Sequence, residues 1–317
     1  MIMEKNKICQ MLDIQYPVIM APMFLVSTVD MIVEALENGI TAAFPAMNYR
    51  TDKELRAAIS EIKARTNKKF GVNLIVNKSN PKYPSQLSTC VEMGVGFFIT
   101  SLGNPKEVIL KSKEKGIKVF CDVTDLKFAN KVVDLGADAI IAVSSEAGGH
   151  AGRIPTKELI TELKANIDIP LISAGGIATH SDYEEKLALG VDGVSVGTIF
   201  IASNECKVSD DYKQALIDYG AKDVVLTSNL SGSPLTVINT PYVQKIGTKA
   251  NWMNRMMYKH KKLRKYFKMI IAINGMRKIE KAAFGANYNT YFVAGPSIEH
   301  IHNIRPIKEI VKDLVEG

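Results

Sequence analysis

From Val18 onward, short apolar runs alternate with amphipathic stretches. The runs are Val18–Ala21, Thr41–Pro45, Phe70–Val76, Phe97–Ser101, Lys118–Val123, Ala139–Ser144, Pro170–Ala174 and Gly193–Val196. Several, such as Ala139-Ile140-Ile141-Ala142-Val143, are apolar at every position, the mark of a strand buried on both faces. Between them, apolar residues recur at helical spacing over Thr28–Glu37, Asp52–Arg65, Pro81–Met93, Pro105–Lys115, Leu126–Leu135, Pro155–Ala165 and Ser181–Leu189. Pro81, Pro105 and Pro155 sit at first turns and Gly39, Gly116, Gly136 and Gly190 follow last turns, which is the expected helix punctuation. Eight such units predict an α/β fold, a (β/α)8 TIM barrel over residues 1–203. An open doubly wound sheet is the competing fold, but no Gly-x-Gly-x-x-Gly follows the first strand.

After Ser203 the rhythm breaks. Tyr212–Tyr219, Val224–Thr227, the turn-rich Asn229–Pro234, a basic stretch and a final helix over Pro306–Val315 follow. The expectation is an appended helical, basic region over 204–302, with a C-terminal helix at 303–317 packing back on the barrel. The chain has 317 residues, 46% hydrophobic and 23% charged, as in a soluble globular protein with a sizeable core. No apolar run is long enough to span a bilayer, and Met1–Lys7 lacks the apolar core of a signal peptide, so cytoplasmic residence is the default expectation. Cys9, Cys90, Cys121 and Cys206 lie far apart with no C-x-x-C pair, which argues for reduced thiols and against a zinc knuckle. The net charge of +7 is concentrated between Lys245 and Lys281, where Glu280 is the one acidic residue, and the remainder is mildly acidic. With Met253, Met256, Met257, Met269 and Met276 among these bases, residues near 247–290 are expected to form a cover over the barrel mouth. A nucleic-acid partner is disfavoured, because it leaves the glycine motifs unexplained.

Those motifs carry the chemistry. Ser144–Gly152 places His150 in a glycine-rich loop just beyond the sixth strand, and the loops at that end of a parallel barrel are where ligands sit. Histidine titrates near neutrality and can act as a general base. His180, His260, His300 and His302 are not at strand ends, and Glu146 stands without the companions a metal site needs. Ala174-Gly175-Gly176-Ile177 and Val196-Gly197-Thr198 close the last two strands, the loops that in barrels hold phosphate through backbone N–H groups.

Ala21-Pro22-Met23, Phe70-Gly71-Val72-Asn73, Glu146-Ala147-Gly148-Gly149-His150, Ala174-Gly175-Gly176-Ile177 and Val196-Gly197-Thr198 together resemble the FMN-dependent nitronate monooxygenases, to which FMN-dependent enoyl-acyl-carrier-protein reductases are related. The resemblance implies that Ala21, Pro22 and Met23 line the flavin ring and that Asn73 bonds the flavin or its ribityl chain. It implies that Asp122, Ala147, Gly148, Gly149 and Ala174 border the cofactor, and that Gly175, Gly176, Gly197 and Thr198 hold its phosphate. His150 is then the catalytic base, taking the α-proton of a nitroalkane or orienting a nitronate, with O2 as oxidant. The alternative is NAD(P)H-dependent reduction of an enoyl thioester in the same pocket. IMP dehydrogenase and GMP reductase share the phosphate loops but need a nucleophilic cysteine where His150 stands. The expected partners are a small-molecule substrate, O2 and a second copy in a homodimer. Four departures accompany the match: Phe24-Leu25-Val26-Ser27 follows Met23 where many relatives carry small residues, Ala178-Thr179-His180-Ser181 replaces a glycine-arginine turn, Ile199 stands where arginine often follows Gly-Thr, and Cys121-Asp122 falls where some relatives place lysine.

Overall fold

The structure, a computed structural model, describes residues 6–77, 80–228, 234–248 and 291–317. Most of the basic stretch, its methionines and most of the expected cover lie outside the described residues.

Eight parallel strands form a closed barrel: β1 Val18–Met20, β2 Thr41–Pro45, β3 Gly71–Ile75, β4 Phe97–Ser101, β5 Lys118–Val123, β6 Ala139–Val143, β7 Leu171–Ala174 and β8 Gly193–Val196. Closure comes from β1 against β8, with Val18, Ile19 and Met20 opposite Val194, Ser195 and Val196. The strand alternation of period two splits the barrel residues between two cores. Ile19, Ala43, Phe97, Ile99, Phe120, Ala139, Ile141 and Ile172 pack inside, while Val18, Val72, Phe98, Val119, Ile140, Leu171 and Val194 pack outward under the helices. Gly71 leaves room for the Phe97 ring, which a Cβ there would overlap.

The helices after the first seven strands are α2 Val29–Glu37, α3 Asp52–Arg65, α4 Tyr83–Glu92, α5 Lys106–Lys113, α6 Leu126–Asp134, α7 Thr156–Asn166 and α8 His180–Ala188. Thr28, Thr51, Asp125 and Thr179 cap four of them through side-chain oxygens, each such cap contributing about 1 kcal/mol.

Ahead of the barrel lies a helix that the sequence pattern had not shown, α1 Lys7–Leu12. Asn6 caps it, accepting from the Ile8 and Cys9 N–H groups, and its Nδ2 donates to Asp192 O at 2.8 Å. Ile8, Cys9 and Leu12 are fully buried against Phe97 and Phe120, so α1 seals the N-terminal end of the barrel.

Beyond β8 come a short helix α9 Thr198–Ile201, α10 Asp210–Asp218 and an antiparallel pair, β9 Val224–Thr227 and β10 Leu235–Ile238. A helix α11, Pro241–Ile246, follows. The chain returns at Tyr291, and Val293 bridges Val237. The described part of the appended region is thus as much hairpin as helix, with a small core of Leu235, Val237, Val243 and Tyr291. The segment leaves at Ser203 and comes back beside it at Arg305. Helix α12, Ile307–Glu316, then buries Ile307, Ile310, Val311 and Leu314 against α2 and α8. It fills the place of the eighth barrel helix.

Candidate active site

A cavity of about 1580 Å³ opens at the C-terminal ends of the strands. Ala21, Pro22, Met23, Asn73, Asp122, Ala147, Gly148, Gly149, His150, Ala174, Gly175, Gly176, Gly197 and Thr198, every site residue expected from the sequence, line it. Its floor is made by inward-facing side chains near the C-terminal ends of the strands. On one side these are polar. Asn73 donates from Nδ2 to Ile99 O at 3.1 Å and to Ser101 Oγ at 2.7 Å, and Ser101 Oγ donates to Asp122 at 2.5 Å. Burial pushes the Asp122 carboxyl up to about 6, against the pull of the Ser101 hydrogen bond. Ser101 was missed in the sequence. The signal was there in the parity of β4, since Ser101 lies two residues beyond the inward-facing Ile99. Across the floor stand Ala21, Pro45, Val143 and Ala174.

The glycine turns are built for close approach. Gly175 and Gly176 have φ of +117° and +66°, in the left-handed region that side chains strain to adopt. A Cβ on Gly175 would lie 2.5 Å from Ser144 Oγ and 2.6 Å from Ala147 N, and one on Gly176 would overlap the Glu146 carboxylate. Hydrogen bonds lock this turn to the β6 loop. Gly176 N–H donates to Glu146 O at 3.1 Å, and Ser144 Oγ donates to Ala174 O at 3.2 Å. Behind it, buried Lys186 lies 3.9 Å from the Glu146 carboxylate and 3.4 Å from that of Glu185. Thr198 Oγ1 accepts the Gly295 N–H at 3.1 Å, and its hydroxyl proton is still available to donate.

His150 follows Gly149, whose φ is +79°. Its side chain lines the cavity and is open to solvent from that side, and the protein packed around the loop lowers its proton affinity below the ordinary histidine value. Cys121 faces the outer core, accepts from Thr100 Oγ1 at 3.2 Å, and is pushed up to about 12 by burial, as befits an inert packing residue. Among the described residues, no group of three or more His, Cys, Asp and Glu side chains is arranged to hold a metal ion.

The sequence profile described as nitronate monooxygenase matches residues 5–317. The chain belongs to the nitronate monooxygenase family. The members of this family are enzymes, and the chain is an oxidoreductase of that class. One relative, an octahydroindene-carboxyl-CoA dehydrogenase of Rhodococcus jostii, is 30% identical over 247 residues, covering 78% of this chain and 69% of its own length. A probable nitronate monooxygenase of Staphylococcus aureus is 27% identical, covering 77% of this chain and 81% of its own. Among solved structures, FabK from Thermotoga maritima superposes with a TM-score of 0.85 at 29% identity, over 98% of this chain and 95% of FabK. A nitroalkane oxidase from Streptomyces ansochromogenes shares the fold at a TM-score of 0.82 and 22% identity, over 97% of this chain and 96% of its own.

Proposed function

We propose that this member of the nitronate monooxygenase family is an FMN-dependent enzyme that oxidises nitronates and neutral nitroalkanes with O2, His150 taking the substrate's α-proton. The observation that carries this reading is the placement of His150: its imidazole lines the cavity on the loop that the Gly176 N–H ties to the β7 glycine turn, and its proton affinity is lowered, so it is available to accept a proton.

The residues present fit FMN. Gly175 and Gly176 let the β7 turn pack directly on the β6 loop at the cavity wall, Gly197 and Thr198 open α9 beside them, and this pairing of turns suits a phosphate. Ala21, Pro22 and Met23 offer an apolar wall for a ring system, and Asn73, Ser101 and Asp122 a polar edge. When bound, FMN supplies the redox chemistry, and the protein contributes position and electrostatics. His150 moves the proton. Asn73 orients Ser101, and Ser101 holds the Asp122 carboxyl in place. Residues 1–203 thus carry the cofactor, while Tyr212, Leu235 and Val293 of the appended region border its mouth; the setting we infer is cytoplasmic, with a homodimer as the assembly. No described helix is long and apolar enough to cross a membrane.

A second reading, NAD(P)H-dependent reduction of an enoyl thioester, is favoured by the names of two relatives near 30% identity, a CoA dehydrogenase and FabK. It asks the same imidazole to donate a proton rather than accept one. Steady-state assays separate the two. Oxygen uptake with nitroalkanes or propionate 3-nitronate supports the first, and NAD(P)H oxidation driven by a crotonyl thioester supports the second. His150→Ala is expected to stay yellow while kcat/KM on a neutral nitroalkane falls about 10²–10⁴-fold, with a preformed nitronate far less affected. Because the imidazole pKa is lowered, wild-type kcat/KM on nitroalkane is flat through neutrality and falls only on the acid side of the ordinary histidine value. Undiminished turnover by His150→Ala removes the base assignment.

A further inference from the structure

We propose that Thr236, on β10 of the appended hairpin, is a positioning residue for His150, gripping the apex of the histidine loop and so setting where the imidazole points. The inference rests on the reading of His150 as the base.

The neck of the loop is closed by its own strand end. Gly152 N–H donates to Ser144 O at 2.9 Å and Ser145 N–H to Ile154 O at 2.9 Å. The apex is held from outside the barrel. Thr236 Oγ1 accepts the Gly149 N–H at 2.8 Å, and the Thr236 N–H donates to Gly149 O at 2.9 Å, so both backbone groups of the residue before His150 are fixed by one threonine. The same hydroxyl lies 3.4 Å from Ala147 O and can donate to it, straddling Gly148. From the other side the return strand crosses at Gly295. A Cβ on Gly148 would sit 3.0 Å from Gly295 N, and one on Gly295 would sit 2.8 Å from Gly148 N.

An external grip is what this backbone needs. Gly149 adopts a left-handed φ of +79° and has no side chain to hold it there. A threonine hydroxyl can accept and donate at once, and valine, equal in shape, can do neither. Removing the hydroxyl leaves the Gly149 N–H without its acceptor in a partly buried place, a loss large enough to let the apex relax. The imidazole, one residue further on, relaxes with it.

Thr236→Val, Thr236→Ser and His150→Gln are compared in the flavin-loaded full chain, with turnover on a nitroalkane and NMR titration of ¹³C-labelled histidines as readouts. The His150 signal is assigned by its loss in His150→Gln. Thr236→Val is expected to keep its flavin but lose roughly ten- to a hundredfold in kcat, the scale of a small misplacement of a catalytic group. Its His150 should titrate closer to the ordinary histidine value, and Thr236→Ser should restore both properties. If Thr236→Val does not fold, Thr236→Ala makes the same comparison without the bulk. Wild-type turnover and titration in the hydroxyl-free variant, or a Thr236→Ser as defective as it, overturns the proposal. Should His150→Gln turn over undiminished, the base reading fails, and the titration alone still decides whether Thr236 holds the imidazole.

Discussion

The two ends of the barrel are built from the same strands by opposite chemistry. At the N-terminal end the inward residues Phe97, Phe120, Ala139 and Ile19 pack with Ile8, Cys9 and Leu12 of α1 in one apolar cluster. One layer up, the same strands end in Asn73, Ser101 and Asp122 on one side and the glycine turns on the other, facing a cavity. The rings of Phe97 and Phe120, 5.1 Å apart, make a rigid base. On it the upper layer can carry a buried carboxyl and left-handed backbone, each unfavourable for folding by itself. The lower end supplies stability and the upper end spends it.

Three substitutions probe this contrast. The largest effect is expected at the sealed end. Phe120→Ala removes a fully buried ring and should cost about 3–5 kcal/mol by urea or thermal denaturation, while the folded fraction binds flavin normally. A cost below about 1 kcal/mol, or lost flavin affinity in folded protein, would mean that the ends are not separable in this way.

At the open end the sign reverses. The Asp122 carboxyl titrates at about 6 in the folded chain, above its ordinary value of 3.8, so folding favours its protonated form. Its contribution is fully favourable below the unfolded pKa and is lost as the pH rises through about 6. Asp122→Asn should therefore stabilise the protein by roughly 1–3 kcal/mol at neutral pH and flatten the pH dependence of stability on the acid side. A destabilised variant at pH 7.5 would show that the charged carboxylate is held by partners stronger than Ser101.

The smallest effect concerns strain. Leu102 has φ of +58°, is 47% exposed, and borders the cavity. Leu102→Gly should raise stability by a few tenths to about 1 kcal/mol, while KM for longer-chain nitroalkanes rises as an apolar contact at the mouth is lost. Lower stability with unchanged KM would assign Leu102 a packing role only.

The eight strands were legible because a strand covered on both faces must be apolar at nearly every position, and β2, β4, β5 and β8 fall on the boundaries expected. The glycine turns were legible because Gly175 and Gly176 need backbone states that other residues strain to reach. Helix α1 escaped notice because six residues give fewer than two turns of periodicity, and only the barrel bottom makes Ile8, Cys9 and Leu12 a coherent face. Thr236 and Gly295 were hidden for a different reason. They meet Gly149 and Thr198 across separations of 87 and 97 residues, and no local pattern marks a threonine or a glycine as the partner of a loop so far away. Asn73 and Asp122 came from family resemblance, whereas their connection through Ser101 needed coordinates.

Helix α12 has a consequence for how the protein is made. The seam between β1 and β8 is flanked by α2 and α8, whose apolar faces α12 covers. All eight strands have left the ribosome long before that helix exists, and at about 5–20 residues per second the intervening chain takes on the order of 5–20 s to synthesise. For that interval the nascent barrel shows an uncovered greasy stripe, the kind of surface that chaperones recognise, and its final closure waits on α12.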